Sequence, residues 1–293
     1  MPGKYYEEVQ WTIPILRDVA EKEILPRFRS GKIIEERKSE TVSGYENTVT
    51  LADKRASKGI LNIVRKRLPG SYSEEDIYKD RFNYDSVWHF DPVDGTREFA
   101  TGIKDGFSLN AALLEKQPNG DYWPVAGITY LPAIDKLVYN DGSDENVFLD
   151  RGKRVKIPDP SKKEILGWVR RVDPSQKLSD FYITLGKKFG LQARPIFRGS
   201  IGSSIVDLLE GKINLIVYNY NITREWDWGV AVPIIKAARG FMCDLNGDEF
   251  KNYNRRITSN NEHCFLNGVI TSIAFKKDEI IPHITKDLLE NRL

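Results

Sequence analysis

Asp91-Pro92-Val93-Asp94-Gly95-Thr96 is the stretch on which the reading of this chain turns. It directly follows Ser86-Val87-Trp88-His89-Phe90, a short run rich in β-branched and aromatic residues that predicts a strand. Two carboxylates three residues apart, with Pro and Gly forcing a turn, can converge on one point in space. Oxygen ligands gathered in this way suit a hard divalent cation such as Mg²⁺. A tight turn brings the Val93 carbonyl alongside the carboxylates. Gly95 permits a close backbone approach, and exposed N–H groups there suit a phosphate. An Asp-rich surface turn is the plainer account of the same six residues.

Three more acidic features lie around that stretch. Ser73-Glu74-Glu75-Asp76 sits just upstream, in a loop after a helix, where an acidic trio is ordinarily solvated. Glu225-Trp226-Asp227-Trp228 opens a helix expected over 227–238. Asp227 there suits an N-cap, and a helix N-terminus also attracts anions. Asp53 follows Thr48-Val49-Thr50-Leu51-Ala52 at the start of a helix expected over 52–68, a place where acid complements the helix dipole without further function.

The rest of the composition narrows the function classes. The chain has 293 residues, with 44 Lys and Arg against 42 Asp and Glu, a net charge of +2. Such a balance gives no electrostatic reason to expect nucleic acid or an anionic membrane as partner. Two cysteines, Cys243 and Cys264, are too few for a disulfide framework or a structural zinc site, and core packing accounts for both. The three histidines, His89, His263 and His283, leave little for a His-rich metal site. Glu7 and Glu8 fall where a signal peptide needs an apolar core, and no apolar run is long enough to span a membrane, so a cytoplasmic protein with reduced thiols is expected.

Along the chain, Val9, Ile13, Leu16, Ala20 and Ile24 predict an amphipathic helix over 6–29, with Pro14 marking a late start or a kink. Residues 31–47 read as a loop or a hairpin. Strands are expected at 86–90, 107–114, 125–130, 136–139, 147–149 and 154–157, largely antiparallel and in one sheet. From Lys163 the pattern alternates: strand 165–169, helix 174–189, strand 193–197, helix 202–210, strand 213–218, helix 227–238 and strand 241–245. An N-terminal lobe over 1–157 and a C-terminal α/β lobe over 158–293 follow, divided near Pro158 and Pro160.

Taken together, Asp53, Glu74-Glu75, Asp91 to Thr96 and Trp226-Asp227 resemble, in order and rough separation, the Mg²⁺-dependent, lithium-sensitive phosphatase superfamily of inositol monophosphatase. The resemblance implies an α+β fold of layered α-β-α-β-α type with two sheets, and the strand–helix reading agrees with two sheets. It implies two or three Mg²⁺ per site. Glu74, Asp91 and the Val93 carbonyl would hold the first ion, and Asp91, Asp94 and Asp227 the second. A weaker third would lean on Glu74. Thr96, oriented by Asp53, would position the attacking water, and the Gly95 and Thr96 amides would take the phosphate oxygens. Homodimers are common in the family.

Substrate choice rests on three local features. Thr96-Arg97-Glu98-Phe99 is similar to the Thr-Lys-Glu-Phe of 3′-phosphoadenosine 5′-phosphate phosphatases. Ser200-Ile201-Gly202-Ser203-Ser204 resembles the loop that those enzymes hold near the nucleoside. Tyr220 stands seven residues before Asp227, where inositol phosphatases place a ring-binding Glu; it suits a purine face, or is simply a packed tyrosine. Arg194 and Arg198 are either contacts for a second phosphate or strand-end charges. The expected activity is removal of the 3′-phosphate from 3′-phosphoadenosine 5′-phosphate or its sulfated relative. The alternatives are an inositol or broad sugar-phosphate phosphatase, and an inactive nucleotide-binding relative. Pro233 is expected to bend the helix after Trp226-Asp227, where Arg239-Gly240 replaces the family's Gly-Gly.

Overall fold

The computed structural model describes residues 2–30, 35–40, 46–76, 81, 83–159, 165–170, 176–218, 225–250 and 269–283. The first helix, α1 (Tyr6–Val19), runs through Pro14 and passes into a π-helical turn (Ala20–Ile24) and α2 (Leu25–Ser30). The irregularity thus falls after the proline, where the wider π turn re-aims the helix. Strands β1 (Glu35–Glu40) and β2 (Glu46–Thr50) pair antiparallel, so the described part of the polar stretch is strand rather than loop. Helix α3 (Leu51–Val64) starts at a capping box in which Thr50 and Asp53 bond reciprocally.

A seven-stranded sheet follows in simple order: β3 (Tyr72–Ser73), β4 (Ser86–Asp94), β5 (Ser108–Lys116), β6 (Tyr122–Leu131), β7 (Lys136–Asn140), β8 (Phe148–Leu149) and β9 (Lys153–Arg154). Only β3 and β4 pair parallel. Between β4 and β5 lies α4 (Thr96–Ala100). One sheet face, with Trp88, Phe90, Leu109, Ala111, Leu113 and Ile128, packs on α1 and α3.

The second half supplies β10 (Ile165–Arg170), α5 (Gln176–Lys188) and β11 (Gln192–Phe197), a parallel pair joined by a helix. Then come α6 (Ile201–Leu209), β12 (Ile216–Tyr218), α7 (Glu225–Gly229), α8 (Ala231–Ala237), β13 (Phe241–Cys243), β14 (Val269–Ser272) and α9 (Lys277–Ile280). The last three strands pair in the order β12-β14-β13. All nine residues of α6 are buried, as a helix lying between two sheets must be. It shares a core with α8, with Leu131 and Val138 of the large sheet and with Ile216 and Val269 of the small one. Beyond the small sheet, Phe181, Tyr182 and Leu185 of α5 close a further core. The fold is an α+β layered sandwich.

Several expectations shift. The Asp91–Asp94 stretch is the end of β4 rather than a turn beyond it. The expected helix over 227–238 is two helices broken at Val230. The break places Pro233 in the first turn of α8, where its missing N–H is one that a helix leaves unpaired anyway. Gly127 of β6 allows this break to sit on the sheet: a Cβ there would lie 2.7 Å from the Val230 carbonyl oxygen. Ile213 and Asn214 lie outside the ladder; Asn214 instead exchanges two 3.0 Å bonds with the Gly167 backbone.

Candidate metal centre

The register of β4 on β5 explains how two aspartates of one strand come together. Asp91 pairs with Asn110 and Asp94 with Ser108, so two residues of β4 oppose the single Leu109 between them. In a regular strand residues 91 and 94 would point to opposite faces. The extra residue of the bulge restores them to one side. Pro92 fits there because it has no N–H to give to a ladder. Gly95 follows with φ +85°, and a Cβ on it would lie 2.5 Å from the Gly106 carbonyl oxygen. Only glycine satisfies both demands.

Asp227 lies inside α7, which begins at Glu225, so it is a first-turn residue rather than the cap. Its carboxylate meets those of Asp91 and Asp94 with one oxygen of each within 4.8 Å of the others. Glu74 stands outside this trio but next to it. Its N–H donates to the Phe90 carbonyl at 3.0 Å, and its charge acts on Asp91. Three aromatic side chains knit the segments that carry these acids. Tyr72 stacks on His89 with ring centroids 4.5 Å apart, and His89 meets Trp226 edge-on at 6.0 Å.

Electrostatically the site is unfinished without a cation. Asp91 is buried, its Oδ1 has no hydrogen-bond partner among the described residues, and burial pushes its carboxyl well up. The charges of Glu74, Asp94, Asp227 and Asp53 push the same way. Burial also raises the Asp53 carboxyl to about 7, with Glu75 and Glu74 adding to it against the bonds from Thr50. An orphaned buried carboxylate oxygen among like charges fits a divalent cation. Oxygen donors from three carboxylates brought to one place are the ligand type that hard divalent cations such as Mg²⁺ take. Asp91, Asp94 and Asp227 are therefore the group among the described residues that could hold such an ion.

Other expected site residues are placed differently. Thr96 Oγ1 donates to the Val93 carbonyl at 3.1 Å, not to Asp53. Asp53 Oδ2 is instead taken by the Thr50 N–H at 2.8 Å and the Thr50 hydroxyl at 2.5 Å. Ser200 and Gly202 face inward: the Ser200 hydroxyl donates to Asp94 Oδ2 at 2.7 Å and the Gly202 N–H donates to the same oxygen at 3.0 Å. Ser203 is also buried, and its hydroxyl has no hydrogen-bond partner among the described residues. Arg198 is committed to Asp207 at 2.6 Å and Asp105 at 3.0 Å, while Arg194 is exposed. Within Thr96-Arg97-Glu98-Phe99, Phe99 belongs to the core and Glu98 packs on Gly199 and Gly106, which leaves Arg97 exposed. Tyr220 lies outside the described residues, as does Cys264.

Sequence reasoning missed Ser108, Asn110 and Thr129. Asn110 Nδ2 donates to Asp94 Oδ2 at 2.9 Å, and Thr129 Oγ1 donates to Asn110 Oδ1 at 2.8 Å. The available signal was polar residues at alternate positions, Ser108 and Asn110, in a strand otherwise apolar as far as Leu114.

The model of a family described as the inositol monophosphatase family matches residues 9–277. A fructose-1,6-bisphosphatase/inositol-1-monophosphatase of Thermotoga maritima is 25% identical over 249 residues, covering 84% of this chain and 88% of that protein. A 3′-phosphoadenosine 5′-phosphate phosphatase of Mycobacterium bovis is 24% identical over 238 residues, covering 77% and 80%. The solved structure of a Thermotoga maritima IMPase superposes with a TM-score of 0.74 at 23% identity, covering 97% of this chain and 98% of that one. No helix among the described residues is long and apolar enough to cross a membrane.

Proposed function

The chain belongs to the inositol monophosphatase family of metal-dependent phosphatases, and on that premise we propose that it removes the 3′-phosphate of 3′-phosphoadenosine 5′-phosphate or of its 5′-phosphosulfate. The observation that carries the phosphatase reading is the Asp91–Asp94–Asp227 trio with its orphaned Asp91 oxygen. The nucleotide rests on Thr96-Arg97-Glu98-Phe99 and on the similarity to the Mycobacterium bovis protein, which carries that substrate in its name.

Asp91 would bridge two ions, with Glu74 and the Val93 carbonyl completing one set and Asp94 and Asp227 the other. Bound there, Mg²⁺ supplies charge neutralisation for the phosphoryl group and lowers the pKa of water. The chain's own part is to hold the ligands and orient the ester. The Val93 carbonyl accepts from Thr96 on one lone pair and keeps the second for an ion. The amides of Gly95 and Thr96, at the bend after β4, are the donors assigned to the phosphate oxygens. Burial around Asp91 and Asp94 lowers the local dielectric and strengthens each of these interactions.

A second reading, an inositol monophosphatase or a broad sugar-phosphate phosphatase, draws on the similarity to the Thermotoga maritima protein, which is of the same extent. Phosphate release from 3′-phosphoadenosine 5′-phosphate and from inositol 1-phosphate, each with Mg²⁺, separates the two. The nucleotide should turn over faster by at least tenfold, and Asp227→Asn should abolish both activities. Faster release from the inositol ester would overturn the nucleotide assignment. Undiminished release in EDTA would overturn the metal mechanism, and no release from either ester would leave a nucleotide-binding relative.

A further inference from the structure

Behind Asp94 lies a closed polar network that the metal ligands themselves do not require. We propose that Asn110, held by Thr129 and flanked by Ser108 and Ser200, is a positioning residue that fixes the Asp94 carboxylate in its ion-facing orientation before any cation arrives. The proposal rests on the reading of Asp94 as a metal ligand.

Four donors converge on Asp94 Oδ2: Ser200 Oγ at 2.7 Å, Asn110 Nδ2 at 2.9 Å, the Gly202 N–H at 3.0 Å and Ser108 Oγ at 3.3 Å. A carboxylate oxygen offers about two lone-pair sites. Crowded by donors, Oδ2 has no room for a cation, so the ion meets Oδ1. One oxygen held from four directions also fixes the plane of the whole group. The rotational freedom of an aspartate is then lost on folding rather than on metal binding, which raises affinity.

Proton bookkeeping singles out Asn110. Each serine has one hydroxyl proton. Ser200 Oγ accepts from the Ser203 N–H at 3.1 Å and lies 2.7 Å from Ser108 Oγ, so the two hydroxyls can trade roles. Ser108 can also donate to Asn110 Oδ1 at 3.0 Å. The amide of Asn110 has no such choice. A carboxylate only accepts, so the NH₂ end must face Asp94. Its carbonyl end accepts from Thr129, which sits directly across the ladder on β6. Asn110 itself is directly across from Asp91 on β4, so the amide is anchored on the rigid sheet that carries both aspartates. Ser108, Asn110, Thr129 and Ser200 are all at most 1% exposed, which leaves water no path to replace a lost bond. A Cβ on Gly202 would lie within 2.5 Å of Ser108, Thr129 and Asn110, so α6 closes the network from above.

Calorimetric titration of Mn²⁺ into the full chain tests this, on wild type, Asn110→Leu and Thr129→Val. Asn110→Leu keeps the approximate shape without the donor, and Thr129→Val removes only the lock on the amide. Loss of a partner that orients a metal ligand weakens binding by about 10–100-fold, and that is the fall expected for Asn110→Leu. Thr129→Val should move the same way by less. Saturating Mg²⁺ should restore most of the phosphate release, so the defect shows in the ion's half-saturation rather than in kcat. A purely structural role would lower the metal-free melting temperature and leave affinity within twofold of wild type, and that outcome overturns the proposal. If Asn110→Leu does not fold, unchanged affinity in Thr129→Val overturns it. Failure of the wild type to take up Mn²⁺ would instead remove the metal reading of Asp94 and the proposal with it.

Discussion

Asp53 and Asp91 are the two residues whose chemistry departs most from that of an ordinary surface carboxylate. Both are buried, and both carboxyls are raised, Asp53 to about 7. A carboxyl whose folded pKa lies above its unfolded value holds its proton more tightly in the native state. The metal-free native protein therefore binds more protons than the unfolded chain from about pH 4 upward, and its stability falls as pH rises through about 7. A divalent ion competes with those protons and reverses the loss. The melting temperature in EDTA should be lower at pH 7.5 than at pH 5.5, and the rise on adding Mg²⁺ should be larger at pH 7.5. A Mg²⁺ effect of equal size at both values would contradict the assignment. The same residues show how much of the site was legible. Asp91, Asp94 and Asp227 stood out because their spacing and neighbours formed a pattern. Asn110 and Thr129 did not, because nothing local marks two polar residues on neighbouring strands as partners of one carboxylate.

Among the elements, β4 and the α7–α8 break decide the geometry. Pro92 and Gly95 predict a turn where the structure has a bulge at Pro92-Val93, since Pro and Gly punctuate both and only the pairing with β5 tells them apart. The broken helix was hidden for a similar reason. The apolar spacing over 227–238 continues across Val230, and the interruption follows from the fit of Val230 and Pro233 onto Gly127. That fit is testable. A side chain on Gly127 would collide with the Val230 carbonyl at 2.7 Å and approach Pro233 Cγ at 3.2 Å. Overpacking of this kind costs about 1–3 kcal/mol. Gly127→Val should lower the urea midpoint accordingly, and because α7 carries Asp227 it should also raise the Mg²⁺ concentration needed for half-maximal activity. An unchanged urea midpoint would show that the α7–α8 break does not rest on the sheet as described. Strands β3 and β14 escaped the sequence reading: β3 is two residues long, and β14 finds its partners β12 and β13 far away in sequence.

At the scale of the whole molecule, the layers exist to bring distant segments to one place. The large sheet supplies Asp91 and Asp94 and α7 supplies Asp227, 136 positions after Asp91 in the chain. The buried α6 lies between the two sheets and aims the Gly202 N–H at Asp94. The layered architecture followed from the resemblance in the sequence, whereas the relative placement of the sheets is a matter of long-range packing that no local pattern encodes. The account stands on a cage for divalent cations between these three aspartates. Anomalous scattering from a crystal grown with Mn²⁺ probes it most directly. The account predicts a strong peak bonded to oxygens of Asp91, Asp94 and Asp227; a Mn²⁺-bearing crystal with no peak between them would contradict it.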